Sequence, residues 1–298
     1  ARPVAPATPT AAAGRPKPQR PEAPQYPPPM RGALPNGKTA VVVGAGAGGL
    51  ALAGRLARAG FKVTLLEKND TVGGRMRSEG FGASTGAPKN GLEGHRFDTG
   101  PSLLLFPEKY REAFAALGAR FEDHVEIRRV EPMAMRVHYA EDWSSLDLLY
   151  DSEAMRRQLE VVEPGAGQNY FRWLGEARAS LDLGTEAFIE TDSNSVLDFV
   201  NPMRIGRLAM AVNPVVLLAP QTLQLAMHFK TEKVKALFSY HQLYVGLTPQ
   251  NAPGVFSLLA ATELTDGVWY PVGGFAKVRD ALRRIAEAHG VEVRLGAE

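Results

Sequence analysis

Three glycines and one glutamate have the types and spacing of a site that binds phosphate and ribose groups. Gly44, Gly46 and Gly49 form a GxGxxG pattern directly after an apolar run, and Glu67 ends the next apolar run. In this pattern the first glycine permits a tight turn, the second admits a pyrophosphate, and the third lets a helix pack closely on a strand. The pyrophosphate then lies at a helix N-terminus, where free amides and the helix dipole favour an anion. Because Glu67 is placed to accept hydrogen bonds from ribose hydroxyls, the four residues predict a dinucleotide site.

A second motif, Gly73-Gly74-Arg75, bears on which dinucleotide is bound. A carboxylate at the end of the second strand repels a 2′-phosphate, so the site favours FAD or NAD over NADP. The GxGxxG pattern does not separate FAD from NAD. Paired glycines followed by an arginine provide a second backbone approach and a cation, which suits an extended FAD whose diphosphate is contacted twice. The second motif therefore favours FAD, whereas Arg77 is expected to be a solvated surface residue.

These motifs lie on elements that the hydrophobic pattern predicts. Residues 39–43 and 62–66 are short apolar runs typical of buried parallel strands, and helical spacing of apolar residues separates them. Together they form a βαβ unit. Near the end of the sequence an amphipathic helix is predicted over 276–289 and another strand over 291–295. The middle, about 108–264, is mostly helical in pattern with less certain strands, so the fold class is α/β.

Composition excludes several classes of function. The 298 residues are 45% hydrophobic and carry a net charge of +2, which predicts one large or two ordinary globular domains and no electrostatic footprint for nucleic acid. Without cysteine, the chain has no disulfide, thiolate nucleophile or cysteine-ligated zinc. The six histidines lack the short spacings of a metal site, so we predict no metal and treat all six as ordinary surface or core residues. The most apolar stretch, 208–227, is interrupted by Asn, Pro and Gln and does not predict a transmembrane helix.

Residues 41–75 resemble the FAD-binding signature of the flavin amine oxidase and phytoene desaturase superfamily, in which the fingerprint, the glutamate and Gly-Gly-Arg occur in this order. Three further segments are similar to the branch of that superfamily that contains bacterial-type phytoene desaturases and carotenoid isomerases. These are GHRFDTGPS at 94–102, LYVG at 243–246 and GVWYPVGGF at 267–275. The resemblance extends from about residue 38 to the end of the sequence.

The resemblance implies a Rossmann-like FAD-binding domain, assembled from separated segments, with an inserted α+β, helix-rich substrate domain. It also implies FAD as cofactor, a hydrophobic polyene substrate drawn from a membrane, and hydride transfer involving the flavin. Desaturation and isomerisation both remain open. The predicted ranges are a disordered tail over 1–37, the first FAD-binding segment over 38–107, the substrate domain over 108–264 and a returning FAD-binding segment over 265–298.

Matching motifs carry the cofactor contacts onto this sequence, and no catalytic residue follows from them. The predicted contacts are Gly44, Gly46, Gly48, Gly49, Glu67, Lys68, Gly74, Arg75, Thr99, Gly100, Pro101, Gly273 and Gly274. Flavin desaturation needs at most one proton acceptor from the protein. The candidates by location alone are Asp142, Asp147, Glu263 and Asp266, each of which we expect to be a surface or turn acid.

The sequence departs from the family pattern in two places. Residues 83–94 look like an insertion, and family members are longer, with a C-terminal segment that completes the FAD and substrate sites. We therefore expect a partner protein or a missing C-terminal segment. The tail over 1–37 is rich in Pro, Ala and Arg with a single acid. With the family resemblance it suggests a plastid, with the surface of a bacterial cytoplasmic membrane as the alternative.

The Met- and Leu-rich segment over 200–229 is expected to be helical core, with a polyene tunnel or a peripheral membrane contact as the alternative. Flanking basic residues, Arg204, Arg207 and Lys230, would suit an anionic lipid surface.

Two rival functions stay open: an FAD oxidase of amines or porphyrinogens, and a non-catalytic subunit of a larger assembly.

Overall fold

The computed structural model of the chain describes residues 37–80, 96–185 and 219–298. Strands and helices alternate at both ends of this part of the chain, and the middle is richer in helix. In chain order the elements are β1 (Thr39–Val43), α1 (Ala47–Arg58), β2 (Lys62–Leu66), β3 (Ser78–Gly80), β4 (Arg96–Asp98), α2 (Pro107–Ala116), β5 (Ile127–Arg129), β6 (Met133–His138), β7 (Ser145–Leu149), α3 (Ser152–Val162), α4 (Ala166–Gly184), α5 (Gln221–Ala226), α6 (Glu232–Leu237), α7 (Ser257–Asp266), β8 (Trp269–Pro271), α8 (Ala276–Ala288) and β9 (Glu292–Arg294).

A parallel sheet at the centre of the first core joins the two ends of the described chain. Its strand order is β1-β2-β9. Strand β1 pairs with β2 from Thr39 opposite Lys62 to Val43 opposite Leu66, and β9 pairs with the other edge of β2. The valines of β1 favour extended backbone because their branched side chains fit a pleated surface. The βαβ unit and the returning strand thus place the two predicted motif loops at the same carboxyl edge of the sheet.

Helices α1 and α8 cover one face of the sheet and meet closely. Gly54 on α1 allows this approach, since a Cβ built there would lie 2.8 Å from Leu117 Cδ2 and 3.7 Å from Ala286 Cβ. His289 follows α8, and its Nε2 lies 2.7 Å from the Leu117 carbonyl oxygen. The buried apolar residues of this core include Val42, Leu50, Val63, Leu65, Leu104, Phe114, Phe121 and Leu282.

A second core is built from the β6–β7 hairpin and the helices of the middle of the chain. Its centre is aromatic: the rings of Trp173 and Phe238 have centroids 4.3 Å apart, and Phe229 stacks on Phe238 at 5.1 Å. Asp151 fixes the start of α3 by accepting a hydrogen bond from the Ala154 amide at 2.8 Å. The antiparallel pair β5–β8 connects the two cores.

The structure confirms the α/β class and most of the predicted elements. The strands over 39–43 and 62–66 are observed at those bounds, and the predicted helix over 276–289 ends at Ala288. The last strand is shorter than predicted, spanning Glu292–Arg294. The middle contains an antiparallel hairpin, β6–β7, that the pattern did not define.

The predicted domain ranges stay a prediction, although α2, which follows the boundary at 107, contributes Phe114 to the first core. The predicted tail, the expected insertion at 83–94 and most of the 200–229 segment, with Arg204 and Arg207, lie outside the described residues. Among the described residues, no helix combines the length and apolar character needed to cross a bilayer.

Candidate dinucleotide-binding site

The start of α1 forms a backbone anion site. Its N-cap residue, Gly46, is extended, with φ −72° and ψ −176°, and no side chain caps the helix. The first amides of a helix have no partner within it, so they are free to bind an anion at this end. A Cβ on Gly49 would lie 1.9 Å from the Gly44 carbonyl oxygen, so only glycine permits this packing of helix on turn. Gly48 lies exposed on the same first turn.

Glu67 lies at the end of β2 and organises the adjoining loop. One carboxylate oxygen accepts a hydrogen bond from the Ala45 amide at 2.8 Å, and the other accepts from the Asn69 amide at 3.0 Å and its side-chain Nδ2 at 2.6 Å. The Asn69 amide, followed by the Ala45 amide, lowers the pKa of Glu67 despite the opposing effect of burial. A carboxylate offers about four acceptor positions, so about one remains for a ribose hydroxyl.

The Gly73-Gly74-Arg75 loop lies directly against the glycine-rich turn. The Gly73 amide donates to the Ala45 carbonyl at 2.7 Å, and a Cβ on Gly74 would lie 3.4 Å from Gly46 Cα. Both glycines adopt left-handed backbone, with φ 115° and 54°, which non-glycine residues adopt at a cost. The two motifs that the sequence singled out therefore form one continuous backbone surface.

A pocket of about 600 Å³ opens on this surface. The segment after β4, which pairs antiparallel with β3, forms the third wall, because a Cβ on Gly100 would lie 2.1 Å from the Arg75 carbonyl oxygen. Arg75 is exposed, and within the described part of the chain its guanidinium has no carboxylate partner. The residues that line the pocket are Gly46, Ala47, Gly73, Arg75, Met76, Gly100 and Pro101.

Nine of the thirteen predicted contacts do not line the pocket. Five of them belong to the glycine-rich turn, the start of α1, the end of β2 and the adjoining loop described above: Gly44, Gly48, Gly49, Glu67 and Gly74. The other four are Lys68, Thr99, Gly273 and Gly274. Lys68 is exposed beside Glu67, and Thr99 donates through its amide and hydroxyl to the Arg77 carbonyl at 3.0 and 3.1 Å. Gly273 and Gly274 form a left-handed turn behind the pocket, with φ 87° and 85°. Of the pocket-lining residues, Ala47 and Met76 were not predicted, although their positions beside motif residues could have indicated them. Gly73 was predicted as part of the Gly73-Gly74-Arg75 motif and not as a separate contact.

Sequence reasoning also missed the role of Asp98, the aspartate of the Phe-Asp-Thr-Gly-Pro segment. Its two carboxylate oxygens lie 3.2 and 3.1 Å from the Phe275 amide, and the Tyr270 hydroxyl donates to it at 3.0 Å. A Cβ on Gly274 would lie 2.7 Å from this carboxylate. Asp98 therefore joins the segment before Gly100 to the start of α8.

The four candidate proton acceptors are all engaged elsewhere, and none lines the pocket. Asp142 binds Lys233 at 2.5 Å, and the Lys233 ammonium, with the Ser144 hydroxyl, lowers the pKa of Asp142 to about 2. Asp147 accepts two hydrogen bonds from Arg136, at 2.6 and 2.9 Å, and Asp266 accepts one from Arg178 at 2.7 Å. The remaining candidate, Glu263, was expected to be a surface or turn acid, and that expectation is wrong.

Glu263 is fully buried in a polar cluster of the second core. It accepts hydrogen bonds from the Tyr240 hydroxyl at 2.8 Å and the Tyr244 hydroxyl at 2.9 Å, and His241 Nε2 lies 3.2 Å away. Burial alone raises the pKa of Glu263, but the bonds to His241 and the tyrosines outweigh it and lower the pKa. The same environment raises the pKa of both tyrosines. His241 is likewise fully buried, so the carboxylate and the imidazole form a buried polar pair in the core.

The fold and the pocket define a Rossmann-type dinucleotide-binding protein. Residues 42–119 match the model of a family described as an NAD(P)-binding Rossmann-like domain. A solved structure of a putrescine oxidase variant aligns with a TM-score of 0.50 at 16% identity, covering 87% of this chain and 50% of that one. At that identity the likeness concerns the fold alone.

The chain is a homologue of the phytoene desaturases across most of its length, and the resemblance drawn from its motifs is confirmed. It is 36% identical over 260 residues to phytoene desaturase of Neurospora crassa, which covers 87% of this chain and 41% of the relative. It is 33% identical over 263 residues to the zeta-carotene-forming phytoene desaturase of Myxococcus xanthus, covering 88% and 47%. The chain therefore spans less than half the length of these curated relatives.

Proposed function

We propose that this chain binds FAD and serves the desaturation of a carotenoid or related polyisoprenoid. The observation that carries the proposal is the pocket at the edge of the sheet, which is lined by the start of α1 and by Arg75, whose guanidinium has no carboxylate partner among the described residues. Amides and a guanidinium together suit a pyrophosphate, because both donate hydrogen bonds to anionic oxygens.

The distribution of charge supports FAD over NADP. The ionised carboxylate of Glu67 has about one acceptor position free, which suits a ribose hydroxyl and opposes a 2′-phosphate. Gly73, Gly74 and Gly100 let neighbouring protein atoms pack closely against the backbone on the far side of the pocket. A cofactor with two phosphates and an extended form would contact both loops, as FAD does when it lies across such a surface.

Bound FAD would supply the hydride acceptor for desaturation. The residues of this chain bind and orient the cofactor through its phosphates and ribose. No side chain is assigned the accompanying proton, because Asp142, Asp147 and Asp266 are held in ion pairs and Glu263 is held by His241. The relatives named phytoene desaturases support the polyene substrate, and turnover is proposed for the chain together with any further residues that the longer relatives carry.

The cofactor proposal is tested by titrating the purified chain with FAD and following quenching of flavin fluorescence. We expect saturable binding with FAD preferred over NAD and NADP. Arg75→Ala should weaken FAD binding by about tenfold or more, since it removes a charge-assisted contact worth about 1.5–3 kcal/mol. Arg77→Ala is the matched control, because Arg77 does not line the pocket. Equal effects of the two substitutions, or preference for NADP, would overturn the proposal.

The substrate proposal is tested by incubating the FAD-loaded chain with phytoene in lipid vesicles and recording the absorption spectrum. Desaturation lengthens the conjugated polyene, so new bands should appear at longer wavelength. A geometric isomer without longer conjugation would favour isomerisation, and binding of FAD without turnover would favour a subunit that acts with a partner. The proposed plastid location rests on residues 1–37 and the family resemblance, and a fluorescent fusion of the chain tests it.

A further inference from the structure

A tryptophan lies at the tip of the β6–β7 hairpin, and its backbone conformation and its exposure are both unfavourable for folding. Trp143 is 86% exposed, and its backbone is left-handed with φ 57°. A large non-glycine residue in this region costs of order 1–3 kcal/mol, and an exposed indole forgoes the gain of burial. Both costs fall on one residue that contributes nothing to either core. Such an outlier indicates a role outside folding.

The turn that presents Trp143 is held rigidly. The Tyr139 amide donates to the Ser144 carbonyl at 2.9 Å and closes the hairpin. Asp142 accepts from the Ser144 amide at 3.1 Å and the Ser144 hydroxyl at 2.7 Å, and Lys233 on α6 binds the same carboxylate. The Tyr139 hydroxyl also donates to the Lys233 carbonyl at 2.7 Å. The indole is therefore displayed on a fixed support and does not lie at the end of a loose loop.

A second exposed apolar residue lies toward the same end of the unit. Helix α3 runs back along β7, because the Gln158 side chain bonds the amide and carbonyl of Asp147 at 3.0 and 2.8 Å. Val161, almost one turn beyond Gln158 and 88% exposed, therefore lies toward the hairpin tip. We name Trp143 and Val161 the hairpin-tip surface.

We propose that the hairpin-tip surface inserts into the interface of a phospholipid bilayer. A specific protein interface needs about 800 Å² from each partner, whereas one exposed indole offers on the order of 200 Å² on a convex tip. A lipid interface accepts a single aromatic side chain because it is deformable, and tryptophan is enriched at that depth. The size and shape of the surface therefore favour lipid over a second protein chain.

Positive and negative side chains around the tip are balanced in number, which bears on whether the tip prefers anionic or zwitterionic lipid. Asp142 is paired with Lys233, and Glu232 with Lys235. Among the described residues near these elements, the exposed acids Glu141 and Glu160 are matched in number by the exposed bases Arg157 and Lys230. Because the described residues around the tip carry no net positive charge, we expect no preference for anionic lipid and binding to zwitterionic vesicles with little dependence on salt.

The test uses the purified chain with phosphatidylcholine vesicles that contain no polyene and no FAD, so its outcome is independent of the proposed function. Of the three tryptophans, Trp173 is fully buried and Trp269 half-buried, so quenching by brominated lipid should report mainly on Trp143. Trp143→Gly removes the ring and suits the left-handed backbone, so the variant should fold, as a thermal melt would verify. We expect it to lose vesicle affinity by about tenfold or more.

The matched control is Leu52→Ser, which removes an exposed apolar side chain from α1, and its vesicle affinity should be unchanged. Unchanged binding of Trp143→Gly, or absence of quenching by brominated lipid, would overturn the proposal. Binding only to vesicles with phosphatidylglycerol, lost at high salt, would assign the contact to charge and also overturn it. Self-association of the chain that Trp143→Gly abolishes would identify a second copy as the occupant instead.

Discussion

Replacing Glu263 by alanine should destabilise the second core more than any change to a surface acid. The carboxylate accepts hydrogen bonds from two tyrosine hydroxyls and lies 3.2 Å from His241 Nε2, and both Glu263 and His241 are fully buried. Removing the carboxylate leaves the Tyr240 hydroxyl and the His241 imidazole without this partner, at a cost of about 1–3 kcal/mol for each group. Of the three partners, Tyr244 contributes least to this cost, because water can reach its partly exposed side chain and replace the lost hydrogen bond. We therefore expect Glu263→Ala to lower the free energy of unfolding by about 2–6 kcal/mol.

Glu263→Gln separates the charge from the shape of the side chain. The amide keeps one acceptor oxygen, so we expect a smaller loss of about 1–2 kcal/mol. Urea unfolding followed by far-ultraviolet circular dichroism measures both variants, and Asp182→Ala, an exposed salt-bridged acid on α4, is the control with a loss below about 1 kcal/mol. A loss below about 1 kcal/mol for Glu263→Ala would refute the view that this carboxylate is a charged element of the core.

The lowered pKa of Glu263 also fixes the sign of a pH effect. A carboxyl group whose pKa is lower in the folded state stabilises the fold above its unfolded pKa, about 4.3, and loses that contribution as pH falls through the folded pKa. The difference in urea midpoint between the wild-type chain and Glu263→Gln should therefore be constant near neutrality and shrink below about pH 4.3. A difference that grows on acidification would contradict the stated pKa direction.

Three further substitutions and one control test other parts of the structure. Gly100→Ala should weaken FAD binding by about tenfold or more, because its Cβ would lie 2.1 Å from the backbone oxygen of Arg75. Gly175→Ala is the control: its Cβ would lie in open space on α4, so it should stabilise the chain by about 0.5–1 kcal/mol in urea unfolding. Asp98→Ala should cost about 1–3 kcal/mol and speed hydrogen exchange at the start of α8. Leu148→Ala, fully buried in β7, should cost about 2–5 kcal/mol by the same urea assay.

The part of the site that the sequence predicted depends on short-range geometry. Gly44, Gly46, Gly49 and Glu67 lie on one βαβ unit, in which the order strand, turn, helix, strand determines where each residue falls. Glycine is also informative by itself, because a left-handed turn or a close approach excludes other residues. These constraints act within about thirty residues, and for that reason the pattern could be interpreted without knowing the rest of the fold.

The part that could not be predicted depends on pairing between distant segments. Asp98 looks like a turn acid in its own segment, and only the approach of the Phe275 amide, 177 residues later in sequence, gives it a partner. Glu263 lies on a helix of mixed pattern, and its environment is set by the 3-10 turn Tyr240–Val245 packing against that helix. A buried acid with hydrogen-bond partners and a solvated acid can lie in the same local sequence pattern. For that reason the sequence wrongly indicated that Glu263 was a surface or turn acid.

The same distant pairings explain why residues near the end of the described chain matter to a pocket that they do not line. Arg279 on α8 lies against Gly73, where a Cβ would be 2.3 Å from its Cδ, and Asp98 binds the amide that begins the same helix. Helix α8 thus contacts the Gly73 loop directly and the Gly100 segment through Asp98. Because both contacts involve backbone positions, a shift of α8 would move two walls of the pocket together. The returning segment therefore helps to fix the positions of the loops that form the pocket.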